Sequence, residues 1–214
     1  MALRLYFHPL ASYCWKALVA LYEHGTAFEP EIVDLGDEAS RTKFYRLWPI
    51  GKFPVLQDLE RNAIVPESTI IIEYLEQRHP GPARLIPADP ELAREVRLRD
   101  RFYDLYVHEH MQKIVGDRLR PADKSDPYGV DQARARLLAS YQILDQQMAG
   151  HAWAVGDTFS MADCAAAPAL YYANKVVPTD GHTNLLAYLE RLHARPSFAR
   201  VLKEAEPYFK LFPQ

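Results

Sequence analysis

Apolar positions follow two rhythms along this chain. Over the first eighty residues, short apolar runs of strand length alternate with stretches in which apolar residues recur every three or four positions. Leu3-Arg4-Leu5-Tyr6-Phe7 reads as a strand, with His8 to Ser12 as the loop after it. Trp15 to Tyr22 is an apolar helical run stopped by Gly25. Phe28 to Val33 reads as a second strand, placed at an edge because Pro30 has no N–H for a ladder. Ser40 to Leu47 is a short helix ending before Pro49. A strand at Val55-Leu56, a turn around Asp58 to Asn62, a short strand near Ala63-Ile64 and a helix from Thr69 to Gln77 complete the unit.

Beyond that point the rhythm is helical throughout. His79-Pro80-Gly81-Pro82 breaks the preceding helix, and residues 81–88 read as a linker. Pro90 to about Arg118 is one long helix, and Asp131 to Met148 is a second amphipathic one. Met161 to Asn174 is apolar almost all round, the mark of a buried central helix. Leu185 to His193 and Ser197 to Ala205 follow, with Asn184 and Ser197 as helix starts. Ser160-Met161-Ala162-Asp163 has capping-box spacing, with Asp where Glu or Gln is usual, and is read as structural. The apolar tail from Pro207 to Phe212 is expected to pack over the body. The order β-α-β-α-β-β-α followed by helices alone predicts an α/β thioredoxin-like N-terminal domain over 1–80 and an all-α C-terminal domain over 89–214.

Composition narrows the function. With 214 residues and 49% hydrophobic content, the chain can build adequate cores for two small domains. A net charge of −3 argues against nucleic-acid binding led by phosphate contacts. Two cysteines, Cys14 and Cys164, make neither a disulfide framework nor a metal spacing. The N-terminus runs straight into a strand pattern, and no apolar run approaches membrane-spanning length, so a cytoplasmic protein without a membrane partner is expected. His108 and His110 lie two apart, a spacing that does not share a helix face, so no metal site is read there.

Two short motifs resist a purely structural reading. In Gly51-Lys52-Phe53-Pro54-Val55-Leu56 a proline abuts an apolar strand although it cannot donate to a ladder. A cis X-Pro bond would explain this and would leave neighbouring backbone groups free to pair with an extended ligand. In Val65-Pro66-Glu67-Ser68-Thr69 a carboxylate and a hydroxyl open a helix, where the free N–H groups also favour an anion. Together the motifs suit a small peptide carrying both an amine and a carboxylate.

With Ser12 after the first strand, and Gly156-Asp157 and Ser160 to Asp163 later, these motifs make the chain resemble the cytosolic glutathione S-transferase family over nearly its whole length, most closely the bacterial serine-type members of theta or zeta character. The resemblance implies that the Phe53 backbone, before Pro54, pairs with the cysteinyl part of glutathione. It implies that Glu67 and Ser68 hold the γ-glutamyl end, and that Lys52 pairs with the glycine carboxylate. Glutathione is then a cosubstrate, with no other cofactor, and its partner is a small electrophile. The electrophile pocket is expected between the domains, from Leu10, Tyr103, Tyr106, Val107 and His110, with Phe209 or Phe212 from the tail. The family's homodimer is implied too, with Asp100, Arg101 and Asp104 facing its interface.

A thiol with a pKa of about 8.5 needs a donor beside the sulfur to ionise at neutral pH. Ser12, Tyr13 and Cys14 compete for that place. The resemblance favours Ser12, where serine-type classes carry their catalytic serine. The run Ser12-Tyr13-Cys14-Trp15-Lys16 is also similar to the zeta-class loop, which keeps a glutathione-dependent isomerase of the maleylacetoacetate type as an alternative. A non-catalytic binding protein on the same fold is the other.

Overall fold

The computed structural model describes residues 2–213. Among these, four strands make one sheet in the order β2-β1-β3-β4: β1 is Leu3–Phe7, β2 Glu29–Ile32, β3 Val55–Asp58 and β4 Ala63–Pro66. β1 pairs in parallel with β2 and antiparallel with β3, and β3 pairs antiparallel with β4. Pro30 sits on the edge strand, where its missing N–H costs nothing. Helices α1 (Ser12–His24), α2 (Glu38–Leu47) and α3 (Ser68–Arg78) complete this unit. α2 starts earlier than its apolar pattern suggests, because Asp37 caps it by accepting from the Ser40 N–H at 2.7 Å.

The remaining helices are α4 (Pro90–Phe102), α5 (Glu109–Arg118), α6 (Pro127–Met148), α7 (Met161–Val176), α8 (Thr183–Ala194) and α9 (Pro196–Ala205). The single long helix expected over 90–118 is instead interrupted by a π-helical stretch, Tyr103–His108. Such a turn carries an extra residue, so it shifts which side chains share a face on either side of it. α7 packs against α1, α4 and the π-helical stretch, and one apolar core runs from Leu5 and Leu21 through Val107 to Leu170. The segment between α3 and α4 is anchored rather than loose. Leu85 is fully buried, its N–H donating to Glu76 and its carbonyl accepting from the Met161 N–H at 2.8 Å.

The tail packs as expected: Phe209 stacks on Tyr171 and Phe212 on Tyr172, with ring centroids 6.2 and 5.3 Å apart. No helix among the described residues is long and apolar enough to cross a membrane.

Candidate active site

The loop after β1 is shaped by its own side chains. His8 Nδ1 accepts from the Leu10 N–H at 3.2 Å, and the His8 ring stacks on Phe53. Ala11, extended at φ −79°, is the N-cap of α1, which makes Ser12 the first helical residue rather than the cap. Ala11 has no side chain that can cap this helix tip. Ser12 is buried in the wall of a cleft of about 720 Å³ that also reaches Leu10, Tyr13, Lys52 and Phe53.

A second lobe of about 220 Å³ adjoins it, sharing Tyr13, Lys52 and Phe53 and adding Pro54, Glu67 and Ser68. The two motifs separated in sequence therefore meet in one cleft. The Phe53–Pro54 bond is cis. Gly51 lies just before it at φ +68°, in the left-handed region that favours glycine. Glu67 has φ +69° and ψ 119°, a conformation that costs a non-glycine residue of order 1–3 kcal/mol. Strain of that kind persists where the surroundings fix it, often at a binding site. Ser68 then opens α3 with its side chain buried.

The wall facing Glu67 carries Arg101, Asp104 and Glu109. Asp100 and Asp104 are buried and do not present themselves to a dimer interface as the resemblance implied. Their partner is Lys16 of α1, only 1% exposed, whose Nζ lies 2.6 Å from Asp100 Oδ1 and 2.8 Å from Asp104 Oδ2. Lys16 Nζ also donates to Thr69 Oγ1 at 2.8 Å, next to Ser68, and Thr69 donates to Asp100 at 2.9 Å. Arg101, half exposed, contacts both carboxylates. Burial raises the Asp104 carboxyl above its ordinary value, and Lys16 opposes that rise.

Of the three residues competing at the thiol position, Cys14 is fully buried and absent from the cleft wall. Burial pushes its thiol well up, which makes it inert. Tyr13 lines both lobes, and burial, followed by Asp104 and Glu109, raises its phenol too, keeping it neutral. Ser12 and Tyr13 remain, both lining the cleft with Phe53.

The π-helical stretch redraws the electrophile side. Tyr103 and Val107 are buried in the core, Tyr106 is exposed and packs on Phe102, and His110 is half-buried. None of these four lines the cleft, whereas Leu10 does. Their places are taken by His108, Met111 and Val115 across from Ser12, with Tyr172 and Phe212 closing the far side; Phe209 packs on Tyr171 instead. Reading α4 and α5 as one regular helix hid this, since the extra residue of the π-helical stretch rotates the faces after it.

His108 is the unforeseen residue of most consequence. Its ring lies against Tyr13 with centroids 4.1 Å apart, and its Nδ1 is buried without a hydrogen-bond partner among the described residues. Burial, followed by the charge of Lys16, lowers its pKa from 6.5 to about 4. Between those pH values the unfolded chain takes up a proton that the folded chain refuses. Stability is therefore intact above pH 6.5 and falls as the pH drops toward 4, by about 3 kcal/mol from this group. In His108→Phe that share of the acid sensitivity is expected to vanish, read as the difference between urea midpoints at pH 7 and pH 4.5. Equal pH slopes in the two proteins would contradict it.

Residues 5–83 match the family model "Glutathione S-transferase, N-terminal domain", and residues 127–191 match "Glutathione S-transferase, C-terminal domain". A probable maleylacetoacetate isomerase of Caenorhabditis elegans is 30% identical over 80% of this chain and 78% of its own length. A stringent starvation protein A homolog of Histophilus somni is 26% identical over 95% of this chain and 91% of its own. A crystal structure of a glutathione S-transferase from Methylobacterium radiotolerans, in complex with glutathione sulfonate, superimposes with a TM-score of 0.81 at 28% identity, covering 93% of each chain.

Proposed function

This chain belongs to the glutathione S-transferase family, and on that footing we propose that it binds glutathione and, at the Ser12 tip of α1, makes its thiolate available to a small electrophile. The observation that carries the reading is the convergence, in one two-lobed cleft, of Ser12, the Lys52-Phe53-Pro54 segment and the Glu67-Ser68 tip of α3. The smaller lobe suits the peptide. Glu67 takes the γ-glutamyl amine, and Ser68 with the first N–H groups of α3 takes its carboxylate. Phe53 offers main-chain pairing to the cysteinyl unit, and Lys52 neutralises the glycine carboxylate. The thiol then falls where the lobes join, beside Ser12.

Catalysis of this kind rests on thiolate stabilisation and on placing the two reactants together. The larger lobe, walled by Leu10, Met111, Val115 and Tyr172, takes an apolar body. Glutathione serves as cosubstrate, and we read the protein as a cytoplasmic homodimer.

The test is Ser12→Ala. Losing one charge-assisted hydrogen bond, about 1.5–3 kcal/mol, is expected to lower turnover about 10- to 100-fold. It should raise the pKa of bound glutathione by one to two units or about that, read by ultraviolet titration of the thiolate, while leaving glutathione affinity nearly unchanged. Unaltered turnover removes Ser12 from the role and passes it to Tyr13. In Glu67→Ala the same arithmetic weakens glutathione binding by about 1.5–3 kcal/mol, measured by calorimetry.

A second reading, a glutathione-dependent isomerase, is favoured by the 30% identity to the probable maleylacetoacetate isomerase of Caenorhabditis elegans and by the Ser12 to Lys16 loop. Product formation without net thiol consumption separates it from transfer. The binding-protein alternative predicts glutathione retention with no turnover against a broad electrophile panel, and the complete polar set in the cleft speaks for an enzyme.

A further inference from the structure

The wall of the larger lobe across from Ser12 comes from the π-helical stretch and α5: His108, Met111, Gln112, Val115 and Leu119. Met111 and Val115 are buried and apolar, Leu119 is apolar, and Gln112 is exposed at the rim. His108 alone on this wall is both polar and buried, with 5% of its surface exposed. Its ring packs against Tyr13, the residue after Ser12, with centroids 4.1 Å apart.

The two ring nitrogens differ. Nδ1 is sealed from solvent and has no hydrogen-bond partner among the described residues. Nε2 is not sealed in this way, and no side-chain hydrogen bond acts on the ring. Nε2 is therefore the nitrogen that meets the lobe. A buried N–H without an acceptor is rarer in folded proteins than a bare lone pair, which assigns the proton of the neutral ring to Nε2. Burial, followed by the charge of Lys16, keeps the ring neutral at physiological pH. This wall thus offers one N–H donor uncommitted to the protein, set among apolar side chains, where a hydrogen bond to developing charge is strong.

We propose that His108 is a catalytic residue on the electrophile side, its Nε2–H donating to the carbonyl oxygen of a conjugated enone while the glutathione thiolate, beside Ser12, adds to the β-carbon. This role rests on the transferase reading and names its substrate class, an α,β-unsaturated carbonyl compound with an apolar body. The sulfur–carbon bond forms, the C=C electron pair moves toward the carbonyl, and the charge arrives on oxygen as an enolate held by the Nε2–H. Water then protonates the α-carbon, which replaces the proton the thiol gave up on ionising. A neutral imidazole suits this step, since it polarises a carbonyl without bringing a second charge into the lobe. Displacement at a saturated carbon builds no such charge on oxygen and gains little from the donor.

Two electrophiles built on the same phenyl ring separate the outcomes: benzylideneacetone, the enone, and benzyl chloride, each assayed with the whole protein at saturating glutathione. His108→Phe is expected to lower kcat/KM for the enone about 100-fold, with a loss roughly tenfold smaller for benzyl chloride. His108→Gln, which restores an N–H donor, should regain a large part of the enone rate. An unchanged enone rate in His108→Phe overturns the inference, and so do equal losses on both electrophiles, the mark of a merely structural role. Should His108→Phe fail to fold, His108→Met takes its place as the variant without a donor. Where the parent protein turns over the enone alone, His108→Gln decides: recovery supports the role, and a rate as low as in the variant without a donor overturns it. Turnover of benzyl chloride without the enone overturns this role and leaves the transferase reading standing, whereas bound glutathione with turnover of neither overturns both.

Discussion

Replacing Lys16 by methionine is expected to cost about 3–5 kcal/mol of stability, because it leaves two buried carboxylates to share one half-exposed cation. Lys16, Asp100 and Asp104 are 1%, 0% and 4% exposed, so water cannot replace the missing charge. Arg101 still reaches both carboxylates, but from the rim, where screening weakens it. Restoring neutrality with Asp100→Asn should recover more than half of the loss in the double variant. That coupling, measured by urea unfolding of both singles and the double, separates a charge effect from a packing effect. A Lys16→Met protein within about 1 kcal/mol of the parent, well under the cost of a broken buried pair, would sink this account. The network also ties α1 and α4 to Thr69, one residue past Ser68. A weaker glutathione site should therefore accompany the loss, because the α3 tip is held from behind by these same bonds.

The sequence disclosed most of this fold because its cues are local. Strand-length apolar runs, Pro30 at an edge, Gly25 after α1 and the Ser160 to Asp163 box each act within a few residues, and each marks what the structure contains. That Lys52 to Pro54 and Glu67-Ser68 would meet in one lobe was legible for a similar reason, since each is a contiguous motif. What stayed hidden depends on distant partners. The start of α8 is satisfied by Asp145, which accepts from the Asn184 and Leu185 N–H groups at 2.8 and 2.9 Å from another helix. Nothing beside Lys16 in the sequence marks its partners, Asp100 of α4 and Asp104 of the π-helical stretch. The π-helical stretch has no composition that marks it. It arises within a continuous helical pattern, yet it decides that His108 rather than His110 lines the cleft. The positive φ of Glu67 is likewise invisible in a residue type that rarely adopts it.

The companion result is expected at the other end of the core, where Asp163→Ala should lower stability by about 3–5 kcal/mol while glutathione affinity of the folded fraction holds. Asp163 is fully buried and accepts four bonds: from the Ser160 N–H at 2.8 Å, the Ser160 hydroxyl at 3.0 Å, the Ala154 N–H at 2.8 Å and the Tyr188 hydroxyl at 2.6 Å. Burial raises its carboxyl pKa, and those donors act against the rise. Alanine removes every acceptor at once and strands donors from the cap of α7, the loop before it and α8. An unsatisfied buried donor costs about 1–3 kcal/mol, and partial relaxation keeps the sum below four such penalties. For a chain of this size the loss corresponds to a fall of roughly 10–15 °C in melting temperature. Asp163→Asn keeps one acceptor for Ala154 and Tyr188 but turns an amide toward the Ser160 donors, so it should recover only part. Because α7 packs on α1, whose tip carries Ser12, the damage is global unfolding rather than a reshaped site. Normal stability with lost affinity in Asp163→Ala would reverse that assignment and make the box part of the binding machinery.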